Sequence, residues 1–410
     1  IRDKLVTGVQ TCALPISGSA PQDVVLIRLR LSASVCAVFS GLARSGSAPQ
    51  EVVLIRYSLP SFAQLPEMKQ KLAKLARILF ILASIGSLYF VPWKIIWVWA
   101  LPLPTTIEEQ LEQGISHGFD GVIVYVDKAG EPPAFYAAGW HDRELKIPAY
   151  PDAYFKIASI GKLYHALAIT KLVSEDRLSL DQTLSYYFPE LVGKIEYADQ
   201  ITLRMLVQHR SGIPNLTDTP NFYVNPPKDS EEALSRIFHL PADFVPDTDY
   251  AYSNTNYLLL SELIGKISTA GKFAYFKKAI LDPLERKHTF VSKEQIAIDS
   301  LMGGYYVGIE ENIKTANYGS MIATAQDVGV FLRALNEGTI FGPGEKEIYD
   351  QIYVYEHTGL LPGYMSIAKY HADIDAVVIQ FINTTNFSGY EWSISEIVYN
   401  RILKILRKDT

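Results

Sequence analysis

β-prone segments lie at both ends of the body of this 410-residue chain, and a long helical, loop-rich region separates the two groups. The segments are residues 121–126 and 134–138 near the start, and residues 352–357, 365–370 and 376–383 near the end. Turn-forming residues 127–130 join the first two segments, which predicts an antiparallel hairpin. A sheet that combines strands from both ends requires the chain between them to fold as an insert. The pattern therefore predicts an α/β plus all-α architecture, an antiparallel sheet flanked by helices with an inserted helical domain at roughly residues 173–300.

Helices are expected to cover this sheet within one domain that spans residues 105–410. Residues 107–117 have the apolar spacing of a short amphipathic helix, and a longer helix should begin at Ser159 and run to Leu172. At the other end of the domain, apolar side chains recur at helical spacing over residues 392–406.

The composition is that of an ordinary globular protein, with 48% hydrophobic and 20% charged residues and a net charge of -6. No Lys/Arg-rich block follows the N-terminal region, so a nucleic-acid partner is not expected. The sequence has no His-Glu-x-x-His motif and no glycine-rich phosphate loop, so neither a metal nor a cofactor is expected. Both cysteines, Cys12 and Cys36, precede residue 68, which excludes a disulfide framework and a thiolate nucleophile from the remainder.

The first part of the chain carries two signs of an artefactual leader. Residues 6–16 resemble the translation of a common short-read sequencing adapter. Residues 17–28 recur at residues 45–56 with a single change. A structural repeat needs at least about three diverged units to stack, whereas a copy this close is typical of a joined or duplicated read. We therefore interpret residues 1–67 as foreign to the natural protein.

Residues 68–104 have the pattern of an export signal or a membrane anchor. Met68 would be the true start, and a basic stretch precedes an apolar run that continues with three tryptophans to Leu103. Residues 72–103 could hold one membrane span with an aromatic belt at its outer end. We favour an uncleaved anchor because no small-x-small cleavage site precedes Pro102, and secretion after signal cleavage is the alternative. The domain would then sit at the inner membrane and face the periplasm or the exterior.

The pattern Ser-x-x-Lys occurs twice in the chain, as Ser159 with Lys162 and as Ser366 with Lys369. The first pair opens a predicted helix, where residues i and i+3 share a face, so Lys162 should reach the Ser159 hydroxyl. The second pair lies in a predicted strand, where side chains alternate and these two point to opposite faces. Ser159 and Lys162 are therefore the candidate catalytic pair.

The pattern Tyr-x-Asn also occurs twice, as Tyr223 with Asn225 and as Tyr252 with Asn254. The first match lies in a proline-rich stretch without rigid support. The second leads directly into an apolar run that predicts a buried helix, and functional side chains need rigid mounting. Tyr252 and Asn254 are therefore the candidates.

These residue types describe an acyl-transfer site. A serine hydroxyl is a poor nucleophile at neutral pH and needs a base within hydrogen-bond reach. Lys162 serves as that base only if it is partly neutral, and both burial and the positive end of the helix at Ser159 would lower the pKa of its amine. Tyr252 would pass a proton to the leaving group and later help to activate water, while Asn254 would orient the substrate amide.

Three further histidines bear on the site. His357 belongs to His357-Thr358-Gly359, the only His-x-Gly in the chain, which is expected to close a strand and to bind substrate. His165 and His209 are predicted to be packing or loop-bonding residues.

From Gly121 onward the chain resembles the serine β-lactamase-like, penicillin-binding hydrolase family, which contains class C β-lactamases, D-alanyl-D-alanine carboxypeptidases and related esterases. The stretches that carry the resemblance, besides the motifs, are residues 155–159, 203–214, 250–257 and 319–327. The resemblance implies that the backbone N–H groups of Ser159 and Leu360 form an oxyanion hole. It also implies that Thr358 and Gly359 belong to the substrate-binding strand.

The resemblance leaves the substrate open at His357, because β-lactamases of this family usually carry lysine there. A permanent charge helps to hold a substrate carboxylate, whereas a histidine with an ordinary pKa of about 6.5 is largely neutral in neutral solution. The expected activity is that of a serine hydrolase acting on a small molecule or peptide, either a D-alanyl peptide or a small ester. A β-lactamase with real turnover and a penicillin or peptide sensor that stays acylated are the alternatives, and the oligomeric state is left open.

Overall fold

The computed structural model describes residues 65–408, with side chains from residue 68 onward. The adapter-like segment, the repeat and both cysteines lie outside these described residues. The chain divides into two compact units, Ile1–Leu82 and Ala83–Thr410. The described part of the first unit belongs to a single helix, and every described strand belongs to the second unit.

Helices and short strands alternate through the described chain. The α-helices are α1 (Leu65–Ser87), α2 (Trp93–Ala100), α3 (Ile107–Ser116), α4 (Gly161–Ser174), α5 (Leu184–Tyr187), α6 (Leu203–Val207), α7 (Ser230–Ser235), α8 (Asn254–Ile267), α9 (Lys272–Phe276), α10 (Ala325–Glu337), α11 (Glu345–Ile352) and α12 (Glu391–Leu406). The strands are β1 (Gly121–Lys128), β2 (Ala134–Asp142), β3 (Ile147–Pro148), β4 (Phe155–Lys156), β5 (Thr289–Phe290), β6 (Tyr305–Tyr306), β7 (Ile322–Ala323), β8 (His357–Leu361), β9 (Tyr364–His371), β10 (Ala376–Ile382) and β11 (Thr384–Thr385). Short 3-10 turns lie at Leu88–Phe90, Ala158–Ile160, Pro189–Leu191, Leu216–Asp218, Lys293–Gln295 and Ile298–Ser300, and a π-helix at Lys277–Leu281.

The main sheet has six strands in the order β3-β2-β1-β10-β9-β8, and all neighbours are antiparallel. Strand β1, from the start of the domain, pairs with β10, from its end, and Tyr125 lies opposite Ile379. The predicted sheet built from both ends of the sequence is therefore confirmed, together with the fold class.

Alternate residues of the central strands enter two separate cores, because side chains of a strand point to opposite faces. On β1, Ile123 and Tyr125 join the core that contains α4, α8 and α10. Val122 and Val124 join the core that contains α3 and α12. The sheet is thus covered by helices on both faces, and both of its faces are buried.

The region between β4 and β5 consists of helices α4 to α9 and the loops that join them, and no strand lies within residues 157–288, all of which the structure describes. Helix α4 is buried over most of its length and packs against α8 and α11. The 3-10 turn that precedes α4 lies against β8, so the helical region meets the main sheet at the point where Ser159 stands.

One strand boundary is wrong in the sequence prediction. Residues 352–357 were expected to form a strand that His357 closes, but Ile352 ends α11 and His357 opens β8. The run is β-prone in composition, yet Tyr349 and Ile352 are buried at helical spacing in the α4 core. The hydrogen-bonding partner β9 begins its pairing only at His357, opposite Ala368. Tertiary contacts thus override local propensity here.

The N-terminal apolar stretch, in which residues 72–103 were predicted to hold one membrane span, is divided into two helices. Among the described residues, one helical segment, Met68–Phe90, is long and apolar enough to cross a membrane. At about 1.5 Å per residue its 23 residues reach about 34 Å, which is sufficient for a hydrocarbon layer of about 30 Å. Proline at position 92 separates this segment from α2, because its ring and missing N–H interrupt a helix.

Candidate active site

Ser159 stands in the 3-10 turn that joins β4 to α4. The preceding residue, Ala158, has a φ of 51°, a left-handed conformation that is costly for a residue with a side chain. The Ala158 N–H donates to the Ser320 hydroxyl at 2.9 Å, and the Ile157 N–H donates to the Met321 carbonyl at 3.0 Å. Contacts with the segment before α10 therefore hold the turn in its strained shape.

The Ser159 hydroxyl accepts two hydrogen bonds from predicted site residues. Lys162 Nζ donates to Ser159 Oγ at 3.0 Å, and the Tyr252 hydroxyl donates to the same atom at 2.7 Å. Tyr252 lies 93 positions from Ser159 along the chain, so the fold of the helical region brings it to the turn.

Lys162 lies on the buried first turn of α4, and its amine has mainly neutral surroundings. Its Nζ atom donates to Asn254 Oδ1 at 2.8 Å and lies 4.8 Å from the Tyr252 ring and 5.3 Å from the Tyr257 ring. Burial lowers the pKa of Lys162 to about 7. A substantial fraction of this amine is therefore neutral at neutral pH and able to accept a proton.

Asn254 is the first residue of α8 and is held by two side chains that the sequence analysis did not identify. Its backbone N–H donates to Asn215 Oδ1 at 2.9 Å, and its Nδ2 donates to Thr217 Oγ1 at 3.1 Å. Asn215 Nδ2 also donates to Thr217 Oγ1, at 2.8 Å. The available signal was the polar Asn-x-Thr directly after Pro214, the last residue of a stretch that resembles the family.

The Tyr252 ring lies against His209, with the two ring centroids 4.5 Å apart. Burial raises the pKa of Tyr252 to about 12, so its hydroxyl stays protonated at neutral pH. Burial and the charge of Lys162 lower the pKa of His209 to about 3. His209 Nδ1 accepts from the Ser253 N–H at 3.1 Å, which assigns the ring proton to Nε2. As predicted, His209 bonds a loop and packs, here behind Tyr252.

His165 also has a packing position. Its Nδ1 bonds the Gly161 carbonyl at 2.7 Å within α4, and its ring lies 5.1 Å from that of Phe276. Burial lowers the pKa of His165 to about 4, so the ring is neutral.

Strand β8 forms an edge of the main sheet and lies directly against the Ser159 turn. A Cβ atom on Gly359 would lie 2.3 Å from Ser366 Oγ, 2.6 Å from the Ile157 carbonyl oxygen and 2.8 Å from Ala158 Cβ. Only glycine allows this approach, which brings Leu360 and Thr358 next to the turn.

His357 lies on β8 at the side of the site. Its ring centroid is 6.5 Å from that of Tyr252 and 6.1 Å from that of Tyr353, on which it stacks. Burial first, and then the charge of Lys162, lower the pKa of His357 to about 4. The side chain is therefore neutral at neutral pH and adds no fixed positive charge to the site.

An aromatic rim, which we define as Tyr223, Tyr318 and Phe387, was missed in the sequence. The Tyr223 ring lies 5.6 Å from the Tyr318 ring and 5.5 Å from the Phe387 ring. Thr217, which holds Asn254, also lies close enough to the Tyr223 hydroxyl to influence its pKa. The stretch around Tyr223 was expected to lack rigid support, and this expectation is wrong for Tyr223 because the packed rings supply it. Asn225, its motif partner, is exposed and bonds Arg236 through its carbonyl.

The second Ser-x-x-Lys pair does not form a site. Ser366 is buried on β9 and donates to the Ile157 carbonyl at 3.1 Å. Lys369 lies on the other face of the strand and pairs with Glu356 at 3.1 Å. Within residues 65–408, no group of three or more His, Cys, Asp or Glu side chains is placed to hold a metal ion.

Solved structures with the same fold include amidases and penicillin-binding protein homologues. D-amino acid amidase from Ochrobactrum anthropi SV3, complexed with D-phenylalanine, aligns with a TM-score of 0.65 and 22% identity over 74% of this chain and 98% of its own. The octameric penicillin-binding protein homologue from Pyrococcus abyssi aligns with a TM-score of 0.62 and 23% identity over 73% of this chain and 76% of its own.

The alignments with curated relatives cover only a part of the length of each relative. Protein flp of Staphylococcus aureus strain MW2 is 30% identical over 190 residues, which cover 46% of this chain and 37% of the relative. N-acetylmuramyl-L-alanine amidase of Bacillus subtilis strain 168 is 25% identical over 238 residues, which cover 51% of this chain and 53% of the relative. The chain thus spans about a third to a half of these proteins.

The sequence profile of the Beta-lactamase family matches residues 104–351. This range contains Ser159, Lys162, Tyr252 and Asn254 and ends before His357. With a match over more than half of its length and the fold of amidases and penicillin-binding proteins, the chain belongs to the Beta-lactamase family of hydrolases.

Proposed function

We propose that the chain is a serine hydrolase that forms an acyl-enzyme on Ser159 from an ester or amide. The observation that carries this proposal is the double contact at Ser159 Oγ, with Lys162 Nζ at 3.0 Å and the Tyr252 hydroxyl at 2.7 Å. A nucleophile within hydrogen-bond reach of a base is the arrangement that covalent catalysis requires.

Acylation begins when neutral Lys162 accepts the Ser159 proton while Oγ attacks the substrate carbonyl carbon. The pKa of about 7 at Lys162 makes the neutral amine available without a further activating group. The pKa of about 12 at Tyr252 keeps its phenol protonated, so this residue begins the reaction as a proton donor. The two groups thus have separate roles, which suits an acid–base pair.

The carbonyl oxygen becomes an oxyanion in this step, and we assign the backbone N–H groups of Ser159 and Leu360 as its donors. Their assignment is supported by the close approach of Gly359 to the turn. One such donor typically contributes about 10² to 10³ in rate. When the intermediate collapses, the bond to the leaving group breaks, and Tyr252 donates its proton to that group. Tyr252 then regains the proton that Lys162 took from Ser159.

Deacylation reverses the proton movement with water as the nucleophile. Tyr252 relays a proton from the attacking water to neutral Lys162, because its oxygen accepts the water proton as the phenol proton leaves. Protonated Lys162 then returns a proton to Ser159 Oγ as the ester bond breaks and the new carboxylic acid leaves. Asn254, which is fixed by Asn215 and Thr217, keeps Lys162 oriented and offers its amide edge to the substrate.

Two observations bear on the substrate class: the neutral His357 side chain at the site and the amidases among the proteins that resemble this chain. His357, with its pKa lowered to about 4, offers no permanent charge to a carboxylate, which suits a neutral ester or amide better than a penicillin. Amidases occur among both the curated relatives and the solved structures. We therefore propose a small ester as the favoured substrate, with Thr358 and Gly359 on β8 beside it, and a D-alanyl peptide as the second candidate, because a D-alanyl terminus carries a carboxylate as a penicillin does.

We also propose that the segment Met68–Phe90 anchors the hydrolase domain to the inner membrane, with the domain on the periplasmic or outer side. The length and apolar character of this helix support the anchor.

Covalent labelling tests the acyl-enzyme. The full chain is treated with a fluorescent penicillin and, separately, with a fluorophosphonate, and labelled protein is followed by gel fluorescence and by mass spectrometry of the Ser159 peptide. We expect labelling of the intact chain and none of Ser159→Ala, while Ser366→Ala is the matched control and should be labelled normally. Equal labelling of the intact chain and Ser159→Ala would contradict the proposal.

A further inference from the structure

Helix α2 carries three tryptophans on its exposed surface. Trp93, Trp97 and Trp99 keep 56%, 67% and 70% of their surface accessible in the folded unit. Val98, on the other side of the helix, is only 2% exposed. Large apolar side chains grouped in this way are uncommon on a surface that faces only water.

The buried side of α2 is part of the hydrolase domain itself. Val98 belongs to the core formed by β1, β10, α3 and α12, and Ile95 packs against that core. Lys94 Nζ lies 3.6 Å from Glu391 Oε1, at the start of α12. The helix is thus packed on the domain and is not a free continuation of α1.

The segment that follows α2 is held as firmly. The buried guanidinium of Arg401, on α12, donates to the Leu101 carbonyl at 2.8 Å and to the Pro102 carbonyl at 2.5 Å. The same group donates to Gln110 Oε1 at 2.6 Å and to Gln113 Oε1 at 3.2 Å, on α3. One side chain therefore ties the segment after α2 to α3 and α12.

The candidate span ends immediately before this helix. Met68–Phe90 is followed by Val91 and Pro92, and Trp93 begins α2. Tryptophan is enriched at the level of the lipid headgroups, where an aromatic ring with one polar N–H is best solvated. A helix with one exposed aromatic face, directly after a span, lies where that layer begins.

We propose that α2 is an interfacial helix whose tryptophan face lies in the headgroup layer of the bilayer, while its Val98 face is packed on the hydrolase domain. This proposal rests on the membrane anchor proposed above. Helix α2 is then fixed to the hydrolase domain by the Val98 contacts and by Arg401. The site around Ser159 would keep a fixed height above the membrane and would meet substrates that are themselves near the membrane surface.

The position of the tryptophans makes this proposal directly measurable. The chain has five tryptophans, Trp93, Trp97, Trp99, Trp140 and Trp392, and none of them lies in the candidate span. The full chain is reconstituted in vesicles of phosphatidylcholine and phosphatidylglycerol that carry bromine either near the headgroup or near the end of the acyl chain. Tryptophan quenching by each lipid and by aqueous acrylamide is compared for the intact chain, the double variant Trp97→Ser/Trp99→Ser and the control Trp140→Phe.

We expect stronger quenching by lipids brominated near the headgroup than by those brominated deep in the chain. The double variant should lose more than half of that quenching and the control very little, while hydrolysis of a soluble ester stays unchanged in both. Quenching by acrylamide alone would place α2 in water and overturn the inference, and stronger deep quenching would place it inside the span. Protection from all quenchers would indicate a second copy on this face, which also overturns it. Failure of the intact chain to float with the vesicles would instead contradict the anchor.

Discussion

The two Ser-x-x-Lys pairs of this chain have the same spacing and opposite outcomes. Ser159 and Lys162 stand three positions apart where the 3-10 turn continues into α4, and their functional atoms are 3.0 Å apart. Ser366 and Lys369 stand on β9, where the serine is buried against Ile157 and the lysine pairs with Glu356 on the other face. The motif therefore has meaning only with the local backbone that carries it.

The second pair still contributes to the first. Ser366 donates to the Ile157 carbonyl, two positions before Ser159, and Gly359 on β8 passes between them. One pair supplies the proposed chemistry, and one member of the other supports the turn that presents it. The predictions below separate these two roles.

The largest difference is expected between the two serines. Ser159→Ala should lower kcat/KM for a short acyl ester by roughly 10⁴ to 10⁶, because the nucleophile is lost. Ser366→Ala should keep the activity within a small factor and lower the free energy of unfolding by about 1 kcal/mol, since it loses one buried hydrogen bond. Steady-state kinetics and denaturant unfolding measure both quantities, and similar activities of the two variants would remove the distinction.

Replacement of the two lysines should likewise have a large effect on kcat at Lys162 and none at Lys369. Lys162→Met removes the proposed base and should lower kcat by about 10² to 10⁴. Lys369→Met removes an exposed ion pair worth about 0 to 1 kcal/mol and should leave kcat unchanged.

The stability of Lys162→Met shows whether the variant loses activity for a chemical or for a structural reason. The pKa of its amine is lowered in the folded protein, so the unfolded chain binds more protons between pH 7 and its ordinary range. Folding therefore carries a cost at neutral pH that diminishes as the pH rises. Lys162→Met, which removes this cost, should not unfold more readily than the intact chain at neutral pH. A large loss of stability in thermal unfolding would show that its inactivity is structural.

Gly359 lies close both to Ser366 and to the turn that carries Ser159, so its replacement should disturb both places. In Gly359→Ala the new methyl group would lie 2.6 Å from the Ile157 carbonyl oxygen and 2.3 Å from Ser366 Oγ, so β8 must move away from the turn. We expect a stability loss of about 1 to 3 kcal/mol and a rate loss of about 10² from the displaced oxyanion donor. Gly265→Ala is the matched control, because Gly265 likewise has no left-handed backbone and its added methyl group would meet nothing nearer than 3.8 Å. Normal kinetics for Gly359→Ala would argue against β8 as part of the site.

The value of kcat/KM is expected to rise with pH and then level off, because the reaction depends on Ser159 and Lys162. Protonated Lys162 cannot accept the Ser159 proton, so kcat/KM should fall about tenfold for each unit of pH below the pKa of about 7 and level off above it. Tyr252, with a pKa of about 12, should add no descending limb near neutral pH. A rate that is independent of pH between 5 and 8 would be inconsistent with a lysine base.

The smallest effect on activity is expected at His357, the first residue of β8. His357→Lys introduces an amine whose charged form a bound carboxylate stabilises, and it should raise kcat/KM for a substrate with a free carboxylate about tenfold relative to a neutral ester. His357→Gln, which stays neutral, is the matched control and should leave the ratio unchanged. Side-by-side assays with a D-alanyl-D-alanine peptide, nitrocefin and a short acyl ester provide the ratio.

Much of the fold was readable because its signals are local. The hairpin of β1 and β2, strands β9 and β10 and the terminal helix α12 all occur close to where alternation and helical spacing predicted them. The errors arose where the environment decides: residues 352–357 are β-prone, but Ile352 is buried as part of a helix and pairing with β9 begins only at His357. Hydropathy showed one apolar stretch over residues 72–103, and only the structure showed where Pro92 divides it into two helices.

For the site, the sequence by itself determined the choice of residue types and the pairing of Ser159 with Lys162, because neighbours on one helical turn need no distant contact. Only the tertiary structure decided the rest. It brought Tyr252 and Asn254 to that turn from more than 90 positions away, and it added Asn215, Thr217 and the aromatic rim. It also decided the charges of Lys162 and His357, because a pKa depends on burial and on nearby charges that the whole fold supplies.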